Sequence, residues 1–406
     1  MENHAKIIFH IDMNAFFCSV ATIYYPHLRG KPFAIGRENT YKGVISTASY
    51  EARKLGIHSA MPIAEAYKIK PDLRIVHIDY SIYNEYHNKF VNLIKEYTDL
   101  IEVASIDEVY ADMTKASLKK HPIVLAKEIQ LRLLKEYKLP SSIGIAPTLF
   151  LAKMASDMKK PLGITVIRKR EVKDILYPLS VKEIYGVGKK TFPKLIEKNI
   201  NTIADFMDIN NKDKVINLVG ENTYNYVYNH ILGNSTNIVD PKRFDESKSI
   251  STSETFDVFL YSFDEILIEL RRMTKDIYKK MINDNYYTKT ITLTLRDSDF
   301  NTITRQDTLD DYTDSFDEIF DIVIELLENN IKPKEYRLIG VGFSNLVKEE
   351  NLPKEYNLFT IQSEDEKEFV IDNLINDFQQ KYGKNALFRR KKWIWMKKKH
   401  GLNYII

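Results

Sequence analysis

The amino-acid sequence predicts an α+β protein of several domains, and three changes of pattern along the chain carry that reading. Strand-like and helix-like segments mix through residue 167. From about 172 to 232 the pattern is helical alone. From 248 the order strand, helix, strand, strand, helix, strand returns within about a hundred residues, a compact βαββαβ unit. At 406 residues the chain is also too long for one ordinary core, which favours two to four domains.

The elements follow in order. Residues 6–11 are apolar and β-branched and predict a buried strand. Residues 14–24 have helical spacing, with Phe17, Val20 and Ala21 on one face. Residues 43–46 read as a strand, and 49–55 as a short helix stopped by Gly56. A strand is predicted over 75–78 and a helix over 80–98, with Tyr83, Tyr86, Phe90 and Ile94 in register. Residues 101–106 and 108–112 flank a tight turn and read as a β-hairpin. A helix over 123–134 and a strand over 142–146 follow, and Thr148 caps a helix through Met158. Helices with short glycine-containing turns occupy 172–232. Residues 234–247 are polar, contain Pro241 and have no period, so they read as a linker. In the last unit a strand begins at 248, helices fall over 264–281 and 315–327, and strands over 289–295, near Thr302 and over 336–343. A charged tail with one amphipathic helix, 364–378, comes after it.

Composition sets bounds. The balance of 44% hydrophobic and 28% charged residues is that of an ordinary globular protein. A net charge of +3 means that any basic surface for nucleic acid must be local. Cys18 is the one cysteine, so no intrachain disulfide and no cysteine metal cluster can form, and a reducing cytoplasm is the expected location. The apolar run 7–11 is too short for a signal peptide, and no stretch of 18 apolar residues spans a membrane.

Three carboxylates stand out. Asp12 ends a strand, and Asp107 and Glu108 sit at a hairpin turn between apolar strands. Ionised carboxylates gathered at one place repel, and protonation or bound cations relieve them. Oxygen ligands suit Mg²⁺, and two Mg²⁺ ions about 4 Å apart activate a hydroxyl and hold both ends of a phosphoryl transfer. From spacing alone a second reading stands beside this one, in which Asp107 and Glu108 form a solvated hairpin tip and Asp12 caps a helix.

Four motifs decide between them. Residues 7–21 (IIFHIDMNAFFCSVA), 44–62 (VISTASYEARKLGIHSAMP), 104–114 (ASIDEVYADMT) and 142–163 (SIGIAPTLFLAKMASDMKKPLG) resemble, in order and spacing, the motifs of Y-family DNA polymerases of the DNA polymerase IV type. The likeness continues through residue 345. The resemblance implies a right-hand polymerase: palm over 1–16 and 75–167, fingers over 17–74, helical thumb over 168–233, linker over 234–247, and a βαββαβ little finger over 248–345, with the tail over 346–406. It implies a low-processivity enzyme that extends a primer across damaged template. Asp12, Asp107 and Glu108 would be catalytic, and these three with Met13 would hold two Mg²⁺ ions.

The same resemblance implies a deoxynucleoside triphosphate pocket of Phe16, Phe17, Thr47, Tyr50, Arg53 and Lys160. Tyr50 and Arg53 share a helix face. With Lys160 they would hold the β- and γ-phosphates, a task suited to the guanidinium fork and the ammonium point charge. Phe17 would exclude a 2′-OH, although alone it reads as a core aromatic. Ser46, Thr47 and Ala60 would form a small-residue roof over the base pair. Two positions depart from the family: Asn14 stands where many relatives have a second Asp, and Ala21 where relatives often carry Glu. His10 and Cys18 read as packing residues.

Primer–template DNA is the implied partner. Residues 181–199 resemble a helix-hairpin-helix around Gly186 and Gly188, with Lys189 and Lys190 adding charge; an αα-turn is the alternative. Lys248, Arg296, Arg305 and Arg337 in the little finger would touch phosphates without reading sequence. The tail at Arg389, Arg390, Trp393 and Trp395 would bind DNA or stay solvated. At 355–359 the segment ending Leu358-Phe359 stands where relatives carry a sliding-clamp peptide, with Glu355 in place of the usual Gln; packing onto its own domain is the alternative. A monomer is expected. The rival functions are a nucleotidyl cyclase-like palm enzyme, which leaves the hairpin and little finger unexplained, and a non-catalytic DNA-binding scaffold, which leaves the intact carboxylates unexplained.

Overall fold

The structure is a computed structural model, and its description covers residues 5–353. The 355–359 segment, the 364–378 helix and the basic aromatic tail lie outside the described residues. The chain divides into two compact units, with the boundary between Ser247 and Lys248.

In chain order the first unit holds β1 (Ile8–Met13), α1 (Phe16–Tyr24), β2 (Phe33–Ile35), β3 (Thr47–Ala48), α2 (Tyr50–Lys54), α3 (Ile63–Ile69), β4 (Arg74–Val76), α4 (Tyr80–Lys95), β5 (Ile101–Val103), β6 (Glu108–Asp112), α5 (Thr114–Ser117), α6 (Pro122–Tyr137), β7 (Ser141–Ala146), α7 (Leu149–Asp157) and β8 (Ile164–Val166). Five short helices follow: α8 (Val172–Leu176), α9 (Phe192–Glu197), α10 (Ile203–Met207), α11 (Lys212–Val219) and α12 (Glu221–Ile231).

The main sheet has the order β5-β6-β1-β7-β8, with β1 in the centre and antiparallel to both neighbours. Every residue of β1 is buried, because each face of the sheet carries a core. Phe9, Ile11 and Met13 enter a core with Phe16, Phe90, Ile129 and Leu133 of α1, α4 and α6. Ile8 and Tyr110 enter a second core with Leu151, Met154 and Leu176. Strand alternation therefore puts His10 and Asp12 on the second face, the one covered by α7.

That helix lies unusually close. A Cβ on Gly144 of β7 would stand 2.0 Å from the Ala152 carbonyl oxygen and 2.4 Å from the Ser156 nitrogen. Only glycine lets the helix backbone rest on the strand. Thr148 caps α7 by accepting from Leu151 N–H through its hydroxyl.

Several elements differ from the sequence reading. The strand read at 43–46 forms instead at Thr47–Ala48, which pairs with Ala34 and Ile35. Gly43 takes φ +90°, outside strand geometry, and Val44 makes only an isolated bridge to Pro62. The strand predicted over 75–78 forms as β4, whereas β2 and the helix α3 are not predicted because each is too short to show a period. The first helix of the hairpin at 181–199 is a single 3₁₀ turn, Val181–Glu183, and the second starts only at Phe192. The polar segment 234–247 is also tied down. Glu102, buried on β5, accepts from Asp240 N–H at 3.0 Å and from Arg243 Nε at 2.8 Å.

The second unit contains β9 (Ser249–Leu260), α13 (Phe263–Asn283), β10 (Tyr286–Asp297), β11 (Thr302–Thr313), α14 (Phe316–Asn330), β12 (Tyr336–Ser344) and β13 (Val347–Lys348). The sheet β11-β10-β12-β9 is antiparallel throughout. Ile291, Leu293, Ile339 and Val341 face Ile266, Leu270, Val323 and Leu327 of the two helices. Ser262 and Glu265 form a capping box that starts α13.

The Gly144 contact is testable. Gly144→Ala is expected to destabilise the first unit by about 3 kcal/mol or more, because two backbones would have to part. Gly188→Ala, where a Cβ meets nothing within 4 Å, is expected to cost less than about 0.5 kcal/mol. Denaturant midpoints of the two variants check this, and equal midpoints would refute it.

Candidate active site

The site begins with a register. Asp12 of β1 and Glu108 of β6 are direct cross-strand partners, which sets their Cβ atoms about 5 Å apart on one face. The β5–β6 turn closes against the end of β1, where Asp107 carbonyl accepts from Met13 N–H at 2.9 Å. Met13's side chain is in the core, so only its carbonyl oxygen can serve as a ligand; a thioether suits soft metals, not a hard cation. Asp107's carboxylate accepts from Ser105 Oγ at 2.6 Å.

Two lysines answer the carboxylates. Lys153 of α7, its side chain only 9% exposed, places Nζ 2.6 Å from Glu108 Oε1 and 3.5 Å from Asp12 Oδ2. Lys160 places Nζ 2.5 Å from Asp12 Oδ2 and 2.7 Å from Asp157 Oδ1. His10 lies beneath them, fully buried, with Nδ1 2.8 Å from Ser156 Oγ and Nε2 3.6 Å from Glu108 Oε2, beyond hydrogen-bond range. The reading of His10 as a packing residue is thus incomplete, since its ring borders a catalytic candidate. Cys18 is buried in the core.

Burial dominates the electrostatics. It pushes Asp12 up to about 7, and the nearby Glu108 adds to the effect while Lys160 opposes it. For Glu108 burial acts in the same upward direction, but His10, Asp12 and Lys153 outweigh it and hold it below the carboxylate range. The pair thus shares one proton near neutrality. Burial lowers His10, keeping it neutral. Burial would also lower Lys153, yet Glu108 and Asp157 keep it firmly charged.

The donors are hard oxygens carrying unneutralised negative charge, and the ammonium groups already stand where cations belong. Among the described residues no three His, Cys, Asp or Glu side chains gather closely enough to hold an ion alone. A Mg²⁺ ion fits such a site because it takes one or two carboxylates and fills its remaining positions with water and substrate phosphates.

The nucleotide candidates line up beside this cluster. Ser49 caps α2 through Ala52 N–H, which sets Tyr50 and Arg53 on one face. Arg53 donates through Nε to Ala48 carbonyl at 2.9 Å and through a terminal nitrogen to Thr47 Oγ1 at 3.2 Å. Its guanidinium also lies 5.1 Å from the Tyr50 ring centre. Burial raises the Tyr50 phenol, an effect that Arg53 and Lys160 oppose and Asp12 reinforces. Phe16 is buried, whereas Phe17 is half-buried and stands edge-on to Tyr83 at 4.6 Å.

Lys153, Asp157 and His10 were missed as site residues. The signals were present: Lys153, Asp157 and Lys160 repeat at spacings of four and three, and His10 precedes Asp12 by two.

The DNA-contact candidates are spread over the two units. In the first, Gly186 takes φ +95°, and Gly186, Gly188, Lys189 and Lys190 are exposed. This turn is fastened to α7, for Tyr185 N–H donates to Met154 Sδ at 3.3 Å. In the second, the sheet face away from the helices carries Ser251, Ser253, Thr292, Thr294, Gly340 and Gly342 around a trough of about 380 Å³. Arg296 is on this face, donating to Thr302 Oγ1 at 2.7 Å, and Lys248 is exposed beside β9. Arg305 pairs with Leu293 and so points to the helix side of the edge strand. Arg337 stacks over Phe300 at 3.9 Å.

Comparison with known proteins adds an independent observation. Residues 11–157 match the impB/mucB/samB family, and residues 247–356 match that family's C-terminal domain. DNA polymerase IV of Oceanobacillus iheyensis is 38% identical over 390 residues, covering 96% of this chain and 92% of the relative. DNA polymerase IV 1 of Bacillus subtilis is 39% identical over 386 residues, covering 94% and 92%. Among solved structures, a Y-family DNA polymerase chimera matches with a TM-score of 0.75 at 29% identity, over 84% of this chain and 99% of that one. DinB from Sulfolobus solfataricus matches with a TM-score of 0.58 at the same identity and coverage.

The shared proton has a consequence for stability. A carboxyl raised on folding contributes stability that is fully present below its ordinary value of 3.8 and lost as pH rises through about 7. Without divalent ions, Asp12→Asn should therefore flatten the decline in melting temperature across that window. Parallel melting profiles for wild type and variant would contradict the assignment.

Proposed function

The chain belongs to the Y-family DNA polymerases of the DNA polymerase IV type, and from that premise we propose that Asp12, Asp107 and Glu108 are the catalytic carboxylates of its template-directed primer extension. It is a DNA-directed DNA polymerase of the translesion kind. Polymerases of this family use divalent metal ions. The observation that carries the site assignment is the cross-strand pair of buried Asp12 and half-buried Glu108, met by Lys153 and Lys160.

The proposed reaction is attack of a primer 3′-OH on the α-phosphate of a deoxynucleoside triphosphate, with release of pyrophosphate. Two Mg²⁺ ions, held by Asp12, Asp107, Glu108 and the Met13 carbonyl, would lower the pKa of the attacking hydroxyl and neutralise charge at both ends of the transfer. Asp107 would give up its Ser105 hydrogen bond to serve as a ligand. Tyr50, Arg53 and Lys160 hold the β- and γ-phosphates; Arg53 is already oriented by Ala48 and Thr47, so little freedom is lost on binding. Phe17, braced by Tyr83, presents its ring to the sugar. Deoxynucleotides are thereby selected over ribonucleotides.

We assign the palm to 1–16 and 75–167, the fingers to 17–74, the thumb to 168–233 and the little finger to 248–345. Primer–template DNA is gripped through phosphates by Lys189 and Lys190 around Gly186 and Gly188, and by Lys248 and Arg296 on the open sheet face. Arg305 and Arg337 rank below them, one for its direction and the other for its stacking on Phe300. Such contacts give short extension products and little sequence preference. Leu358 and Phe359 are proposed as the clamp-docking pair on sequence position alone. Among the described residues no helix is long and apolar enough to cross a membrane.

Primer extension with Mg²⁺ and the four deoxynucleotides tests the assignment. Asp107→Ala should lose about a hundredfold or more in rate while retaining DNA affinity, since it removes a ligand and no packing. Extension within about tenfold of wild type would remove Asp107 from the trio. Phe17→Ala should raise ribonucleotide incorporation far more than it changes deoxynucleotide incorporation. Undiminished sugar discrimination would make Phe17 a core residue only.

A further inference from the structure

Asn14 takes no part in the carboxylate cluster, yet it is among the most buried polar residues of the first unit, only 1% exposed. Its Oδ1 accepts from Leu162 N–H at 2.8 Å. Ser142 Oγ lies 2.9 Å from its Nδ2 and 3.2 Å from its Oδ1. Its own N–H donates to Pro140 carbonyl at 2.7 Å. The side chain thus joins the end of β1 to β7 and to the loop that leaves α7.

Leu162 takes φ +63°, a left-handed conformation that a branched side chain adopts only when its surroundings hold it there. Two side chains hold it. Asn14 accepts from its N–H, and Gln130 Nε2 donates to its carbonyl at 3.1 Å while also donating to Ser141 carbonyl. Lys160 stands two residues earlier in the same loop, and its ammonium lands on Asp12, two residues before Asn14 on β1. One strand end therefore supplies both the carboxylate that Lys160 meets and the acceptor that fixes its loop.

We propose that Asn14 is a positioning residue for Lys160: its side-chain oxygen pins Leu162 N–H and so sets the height of the lysine over the nucleotide phosphates. The proposal rests on the reading of Lys160 as a triphosphate contact. What the position requires is an acceptor oxygen, not an amide. A carboxylate there would accept from Leu162 N–H equally well, and the Ser142 hydroxyl can turn to donate to it.

Single-nucleotide incorporation by the full chain, read as KM for the deoxynucleotide and kcat separately, tests it. Asn14→Ala should raise KM about tenfold with kcat within about twofold, the effect of one lost buried hydrogen bond. Asn14→Asp should restore KM to near wild type. Ser142→Ala, which leaves the acceptor for Leu162 in place, should leave KM unchanged. In a Lys160→Met background, Asn14→Ala should add nothing further. Should Asn14→Ala fail to fold, Asn14→Ser, whose hydroxyl ends short of Leu162, replaces it. If Lys160→Met raises KM while Asn14→Ala does not, the positioning role is wrong and the lysine reading survives. If Lys160→Met leaves KM unchanged, the lysine reading fails and the proposal with it. A fall in kcat and melting temperature at constant KM, or an equal effect of Ser142→Ala, makes Asn14 a packing residue and overturns the proposal.

Discussion

The antiparallel register of β1 with β6 is the constraint on which the rest of the first unit depends. It sets Asp12 directly opposite Glu108. Two full charges about 5 Å apart repel by about 3 kcal/mol at an effective dielectric near 20. A sheet does not tolerate such a pair unless something else gains from it. Here the surroundings divide the burden: Asp12 takes a shared proton, and Lys153 and Lys160 supply charge. Each device is partial, and the pair is left able to exchange a proton and the Lys160 contact for stronger cations.

Helix α7 converts that local problem into an architecture. Gly144 lets its backbone rest against β7, which brings Lys153 to the carboxylates. Ser156 engages His10 from the same helix, and Asp157 holds Lys160 beyond its end. On its far side Phe150 and Met154 support Tyr185 beside the Gly186 turn. One nine-residue helix therefore touches both the carboxylates and the turn proposed to grip DNA. A change in its seating would be felt at both ends, because close-packed backbones transmit displacement.

The long periodic elements of this fold were legible in the sequence. The βαββαβ order of the second unit, the hairpin carrying Asp107 and Glu108, and the Thr148 cap all follow from apolar period and turn chemistry. The three-residue strand Phe33–Ile35 and the helix Ile63–Ile69 were not legible, since a period needs more residues than they contain. The strand near 44 is displaced in the structure because Ile45 is buried without being in a strand; burial and extension leave the same apolar signal in a sequence. At the site the carboxylates announced themselves by clustering in sequence. Lys153 and His10 did not, because a buried lysine or histidine owes its role to what faces it across the sheet, and that is a tertiary fact. Asn14 drew attention only as a departure; its hydrogen bonds give it a meaning that no spacing carries.

The substrate-free arrangement also explains why the lysines sit where they do. Lys160 contacts Asp12 and Asp157 now, whereas its proposed partner is a triphosphate. A carboxylate and a phosphate compete for the same ammonium, so on the proposed reading the arrival of nucleotide with its cations would relieve Asp12 of Lys160 and supply replacement charge in one event. Lys153 differs in being buried and held by three carboxylates at once. Desolvation makes it costly for that ammonium to leave or be left alone. It is therefore suited to stay as permanent charge, and on the proposed reading Lys160 would be the one to exchange partners. The division follows from exposure: the side chain with solvent access exchanges, and the one without it holds the frame.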